Sequence, residues 1–161
     1  MKGNPLTLIG PELQAGDHAP DFTVVDGTLS AVNLEKTGHN VRIISVVPSL
    51  DTPVCDLQTK RFNEEAAQLP GVDILTVSMD LPFAQKRWCG AEGVERMTML
   101  SDFYDHSLGL AFGIWVKERG LLARSVFVVD KGGIVRTALI VPDLTKEPDY
   151  DEMIAAAAAA I

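Results

Sequence analysis

Val41-Arg42-Ile43-Ile44-Ser45-Val46-Val47-Pro48-Ser49-Leu50-Asp51-Thr52-Pro53-Val54-Cys55 passes from an apolar, β-branched run through a proline-bounded loop to the start of a helix. The run is apolar enough for a strand covered on both faces, the usual state at the centre of an α/β sheet. Pro53 has the fixed φ and the missing N–H that suit a first helical position, so Cys55 falls in the first turn. The unpaired N–H groups of that turn and the positive end of the helix dipole favour S⁻ over SH. The same placement also fits a buried structural cysteine, a common state for this residue.

Outward from this unit, apolar runs alternate with helical stretches and are punctuated by glycine and proline, which predicts an α/β protein with a mixed sheet. Strands are expected over Phe22–Val25, Val41–Val47, Val72–Ser78, Met97–Leu100, Arg124–Val129 and Ile134–Val141. The last two flank Asp130-Lys131-Gly132-Gly133, a strong hairpin signal. Leu6–Ile9 and Glu12–Ala15 flank Gly10-Pro11 and predict a small N-terminal hairpin. Helices are expected over Val54–Leu69, Phe83–Glu92, Ser107–Phe112 and Tyr150–Ile161. In the first of these, Phe62, Ala66 and Leu69 recur at helical spacing. The alanine run Ala155–Ala160 reads as a terminal helix without chemistry.

The 161 residues predict a single domain over 1–161, without internal repeat or linker. The chain is 47% hydrophobic and 22% charged, which is globular rather than disordered, and its formal charge of −8 argues against nucleic acid or anionic membrane as a partner. No run reaches the length of a spanning helix and Met1-Lys2-Gly3-Asn4-Pro5 leads into no apolar signal core, so a cytoplasmic location is expected. Two cysteines are too few for a secreted disulfide framework. In a reducing compartment such a pair is more often catalytic or redox-sensing.

Pro48-x-x-x-Thr52-x-x-Cys55 resembles the active-site signature of the peroxiredoxins. Thr52-Pro53-Val54-Cys55, with Cys89 in Arg87-Trp88-Cys89-Gly90-Ala91-Glu92-Gly93, is similar to the thiol peroxidase branch, the atypical two-cysteine peroxiredoxins. Leu100-Ser101-Asp102 and Leu122-Ala123-Arg124-Ser125-Val126 follow in order, so the resemblance covers nearly the whole chain. The order of elements is that of a thioredoxin-like fold with an N-terminal extension, and the resemblance implies the same fold. It further implies Cys55 as the peroxidatic cysteine, Cys89 as the resolving cysteine of an intramolecular disulfide, Thr52 as a hydroxyl for the sulfur and peroxide oxygens, and Pro48 as a shield over the pocket. Thioredoxin as reductant and a homodimer are implied in the same way, as is a preference for organic hydroperoxides over hydrogen peroxide, with Leu50 and Trp115 as apolar pocket residues.

The residues themselves supply further expectations. Arg124 opens an otherwise apolar strand, where an unpaired guanidinium is costly to bury; it is either the cation of the site or an exposed strand-end arginine. Disulfide-linked Cα atoms lie within about 7 Å, so the disulfide that the resemblance implies leads us to expect the Cys55 turn and the Phe83–Glu92 helix to unwind partly in each cycle. Gly90 and Gly93 weaken the latter helix at its end. Lys60, Arg61, Lys86 and Arg87 fit a solvated helix face better than a reductase dock. His18, His39 and His106 are too scattered for a metal pattern and no Gly-x-Gly-x-x-Gly marks a nucleotide, so no cofactor or metal is expected. A peroxide-sensing switch that relays oxidation to a partner uses the same motifs and remains the alternative.

Overall fold

The computed structural model describes residues 4–66 and 68–161. Its elements in chain order are β1 (Leu8–Ile9), β2 (Val24–Val25), β3 (Ala31–Val32), β4 (Val41–Val46), α1 (Pro53–Ala66), β5 (Val72–Ser78), α2 (Pro82–Glu92), β6 (Thr98–Ser101), α3 (Ser107–Ala111), β7 (Trp115–Val116), β8 (Leu121–Leu122), β9 (Ser125–Val129), β10 (Val135–Ile140) and α4 (Tyr150–Ala159). A 3₁₀ turn, Glu35–Thr37, precedes β4. Part of the helix expected to reach Leu69 falls on Ala67, outside the described residues.

Seven strands form one mixed sheet in the order β10-β9-β4-β5-β6-β2-β3. β4, β5 and β6 run parallel, which requires crossovers, and α1 and α2 supply them. β9 returns antiparallel beside β4 and turns through Asp130–Gly133 into β10. Asp130 closes that turn by accepting hydrogen bonds from the N–H groups of Gly132 and Ile134.

The period of two along each central strand sorts the core into layers. Val41, Ile43, Val126 and Val128 face a layer with Phe62 of α1 and Met153 and Ala157 of α4. Ile44, Val46, Phe127 and Val129 face the opposite layer, with Leu108, Phe112 and Ile114. The rings of Phe62 and Tyr150 meet edge to face at 5.4 Å, tying α4 to α1. The Asp149 carboxylate caps α4 by accepting from the Glu152 N–H, and the alanine run forms the helix expected of it.

The N-terminal extension enters a second, three-stranded sheet, β1-β7-β8. Its first strand pairs with Trp115–Val116 rather than with Glu12–Ala15, which form no strand. The reason is a close backbone crossing at Gly10 and Gly113. A Cβ on Gly113 would sit 1.7 Å from the Pro11 carbonyl oxygen, and one on Gly10 would sit 2.2 Å from that of Leu110. Chain passing this tightly over the α3–β7 turn leaves no room to fold straight back on itself, and Pro11 has no N–H to offer a ladder.

Candidate active site

β4 carries the chain to the rim of the sheet, and the loop from Pro48 to Thr52 turns it into α1. Val47 extends the ladder by one bond, its N–H donating to the Val77 carbonyl. Asp80, just beyond β5, then holds the loop: its carboxylate accepts from the Ser49 hydroxyl at 2.7 Å, the Leu50 N–H at 2.7 Å and the Ser78 hydroxyl at 2.8 Å. Pro53 opens the helix, and the Asp56 N–H donates to the Thr52 carbonyl to close its first turn. Cys55 therefore stands in that turn, fully buried, against Val47, Leu50, Trp88 and Val94.

Arg124 lies just before β9 and is 2% exposed, so it is not a solvated strand-end residue. Its Nη2 donates to the Cys55 sulfur at 3.4 Å and to the Leu144 carbonyl at 2.9 Å. Nε donates to the same carbonyl at 3.1 Å, and Nη1 to Gln58 Oε1 at 2.9 Å. Gln58, itself fully buried, is held in turn by its Nε2, which donates to the Ser45 hydroxyl at 2.8 Å. Among the described residues no carboxylate pairs with this guanidinium. Neutral acceptors satisfy its N–H groups but leave its charge, and a buried charge is stabilised most by an opposite one. Among the described residues, the ionisable side chain that accepts a hydrogen bond from this guanidinium is Cys55.

A pocket of about 580 Å³ opens in front of this pair, with Pro48, Thr52, Pro53, Val54, Arg124 and Leu144 in its walls. Three of the residues expected at the site thus meet there, with Cys55 buried behind Arg124. Thr52 turns its hydroxyl to the Ser49 carbonyl, 3.2 Å away, which leaves the oxygen free to accept at the pocket wall. Leu50 and Trp115 are not pocket residues. Leu50 is buried in the layer that holds Cys55, and Trp115 stacks on His106 with ring centroids 4.1 Å apart. The apolar wall comes instead from the two prolines, Val54, Leu121 and Leu144.

Cys89 lies outside this pocket. It is half-buried near the C-terminal end of α2 and packs against the apolar cluster that contains Cys55; both thiols are free. Burial pushes the Cys89 thiol up from its ordinary value. The Cys89 carbonyl accepts from the N–H of Gly93, which ends the helix in the left-handed conformation at φ 67°. Lys60 links the two cysteine-bearing helices, pairing with Asp56 at 3.0 Å and with Glu92 at 2.6 Å. Arg61 pairs with Glu65, so these basic residues belong to a solvated face.

Sequence reasoning missed Gln58, Asp80 and the Leu144 carbonyl. Gln58 had a usable signal, since Cys55-x-x-Gln58 puts both side chains on one helix face. The other two had none: a backbone carbonyl carries no residue code, and Asp80 acts on a loop far from it in sequence. Among the described residues no three His, Cys, Asp or Glu side chains stand close enough to hold a metal ion, and no helix is long and apolar enough to cross a membrane.

Comparison with known proteins places this geometry in context. The family model described as Redoxin matches residues 14–154. The chain is 54% identical to the thiol peroxidase of Halalkalibacterium halodurans over 161 residues, covering 100% of this chain and 97% of that one. It is 53% identical to the thiol peroxidase of Bacillus subtilis, covering 100% and 96%. Among solved structures, a peroxiredoxin-like protein from Aquifex aeolicus superposes with a TM-score of 0.92 at 45% identity, covering 99% of this chain and 95% of that one. The thiol peroxidase from Chromobacterium violaceum superposes at 0.85 with 19% identity, covering 93% and 89%, and so shares the fold.

Proposed function

The chain belongs to the redoxin family and is a thiol-dependent peroxidase of the peroxiredoxin type, and we propose that Cys55 is its peroxidatic and Cys89 its resolving residue. The observation that carries the Cys55 assignment is the buried Arg124 guanidinium at 3.4 Å from its sulfur, with no carboxylate paired to it among the described residues. The Cys55 thiolate attacks the terminal oxygen of a hydroperoxide in line. The O–O bond breaks, the leaving alkoxide takes a proton, and a sulfenic acid remains on Cys55. Charge moves along the O–O axis during the attack, and a preorganised cation beside the sulfur stabilises it without reorganisation. Thr52 presents its oxygen to the peroxide, and Pro48 screens the sulfur from bulk water.

Cys89 then attacks the sulfenic sulfur, a water molecule departs with the hydroxyl, and the Cys55–Cys89 disulfide forms. We take that step to open the first turn of α1 and the last turn of α2, because cysteines on separate helices seldom meet the Cα separation and facing sulfurs that a disulfide demands. Both are helix ends, where few intrahelical bonds hold the chain, and the Lys60 pairs there are exposed and weak. A dithiol reductant, which we take to be thioredoxin, restores both thiols. A single cytoplasmic domain acting as a homodimer, and organic hydroperoxides as better substrates than hydrogen peroxide, complete the reading. The apolar pocket wall supports the last point.

Reduced protein mixed with one equivalent of cumene hydroperoxide and followed by rapid quench and intact mass tests the assignment. The wild type forms an intramolecular disulfide, Cys89→Ser stops at the sulfenic acid, and Cys55→Ser does not react. Equal, slow oxidation at both cysteines would overturn it. Repeated turnover with thioredoxin separates a peroxidase from a sensing switch, which needs only one oxidation per signal.

A further inference from the structure

The helix that carries Cys89 sends a polar side chain into the interior, and the chemistry above makes no use of it. Gln85 of α2 is 1% exposed. Its Nε2 donates to the Leu100 carbonyl of β6 at 2.8 Å and to the Ser78 hydroxyl, at the end of β5, at 3.0 Å. Turning the amide over would set its oxygen against the Leu100 carbonyl oxygen, so the orientation is fixed. Gln85 Oε1 is buried and has no hydrogen-bond partner among the described residues. A methionine would fill similar space without an orphaned acceptor, so what the amide supplies here is its two donor bonds to the sheet. The Ser78 hydroxyl in turn donates to Asp80, whose carboxylate holds Ser49 and Leu50. The helix of Cys89 and the loop before Cys55 are rooted in one hydrogen-bonded network.

We propose that Gln85 is a positioning residue for disulfide formation, the pivot that keeps the first turn of α2 on the sheet while the turn bearing Cys89 opens. The inference rests on the reading of Cys89 as the resolving cysteine given above. Three features support it. The buried residues of α2 are Pro82, Gln85 and Trp88, and Trp88 packs in the cluster with Cys55 that disulfide formation disturbs. The Gln85 bonds to β5 and β6 lie outside that cluster and survive the rearrangement. The weak part of the helix lies beyond the pivot, because Gly90 and the left-handed Gly93 both follow Cys89. Finally, Gln85 tethers Cys89 through four residues, whereas Leu81 and Ser78 lie eight and eleven residues before it. Effective concentration falls as roughly the −3/2 power of tether length, so losing the pivot dilutes Cys89 about three- to fivefold at the Cys55 sulfenic acid.

Rapid quench and intact mass after one equivalent of cumene hydroperoxide resolve two rate constants, for oxidation of Cys55 and for conversion of its sulfenic acid to the disulfide. In Gln85→Met the second falls about three- to fivefold relative to the first, which stays near its wild-type value because Ser78 still donates to Asp80. A general loss of folded protein would leave the ratio of the two constants unchanged. Amide exchange on the wild type needs no variant. The Gln85 N–H, which donates to the Leu81 carbonyl at 3.0 Å, keeps its protection in the disulfide form, while the amides from Cys89 to Gly93 lose theirs. Disulfide formation unchanged or faster relative to oxidation in Gln85→Met, or equal loss of protection at Gln85 and Cys89 in the oxidised wild type, overturns the proposal. Either result in a wild type that still forms the Cys55–Cys89 disulfide sinks the pivot alone. A wild type that never forms that disulfide sinks the reading of Cys89 with it.

Discussion

Replacing Arg124 with glutamine removes the charge beside the Cys55 sulfur while keeping a polar side chain of intermediate length. At an effective dielectric of about 20, unit charges 3.4 Å apart attract by about 5 kcal/mol. The guanidinium charge is spread over three nitrogens and both groups have lost water, so the net value is that of a charged hydrogen bond, about 1.5–3 kcal/mol. At about 1.36 kcal/mol per tenfold, the second-order rate constant for Cys55 oxidation falls between about 10- and 150-fold. Stopped-flow tryptophan fluorescence with cumene hydroperoxide reads that constant, because Trp88 packs in the same cluster as Cys55. Stability must be measured alongside. Losing the guanidinium leaves the Leu144 carbonyl and Gln58 Oε1 without their donor, at about 1–3 kcal/mol each if no water replaces it. Urea unfolding fixes the folded fraction to which the rate is referred. Arg124→Lys keeps the charge, but one ammonium cannot span the sulfur, Gln58 and the carbonyl together, so its rate lies between the two. A folded Arg124→Gln protein oxidised within about threefold of the wild-type rate would refute the electrostatic argument.

Two further outcomes follow from the loop and from Cys89. Asp80→Asn turns an amide N–H₂ toward at least one of the donors now held by the carboxylate, so urea unfolding should show a loss of about 1–3 kcal/mol and peroxide kcat/KM should fall as the Pro48–Thr52 loop loosens. Unchanged kcat/KM in that variant would mean the loop is held by other contacts. Because burial raises the Cys89 thiol in the folded state, the folded protein binds that proton more tightly than the unfolded chain. Its contribution to stability is therefore complete below the ordinary thiol pKa of about 8.5 and is lost as pH rises through the higher folded value. Unfolding midpoints measured across alkaline pH should show this decline in the wild type and a shallower one in Cys89→Ser, and disulfide formation should accelerate over the same range. Identical slopes in the two proteins would remove the burial argument.

Much of the fold was legible because its determinants are local. Apolar runs marked β4, β5 and β9, proline marked the start of α1, and Asp130–Gly133 marked the β9–β10 turn. The strand–loop–helix passage likewise placed Cys55 in a first turn before any contact was known. Periodicity also anticipated that the central strands are covered on both faces, since neither face of β4 offers a polar stripe.

What the tertiary structure decided is the electrostatics of the sulfur and the pairing of the N-terminus. Arg124 is 69 positions from Cys55, and its three acceptors come from β4-linked helix α1, the loop after β10 and the sulfur itself. Asp80 reaches Ser49 and Leu50 across 31 and 30 positions. β1 joins β7 because two glycines let distant backbones touch. Propensity and periodicity act over one or two turns of chain, so they specify which residues form a strand or helix end. Which charge faces which acceptor depends on strand register and side-chain direction, and those exist only once the layers have packed.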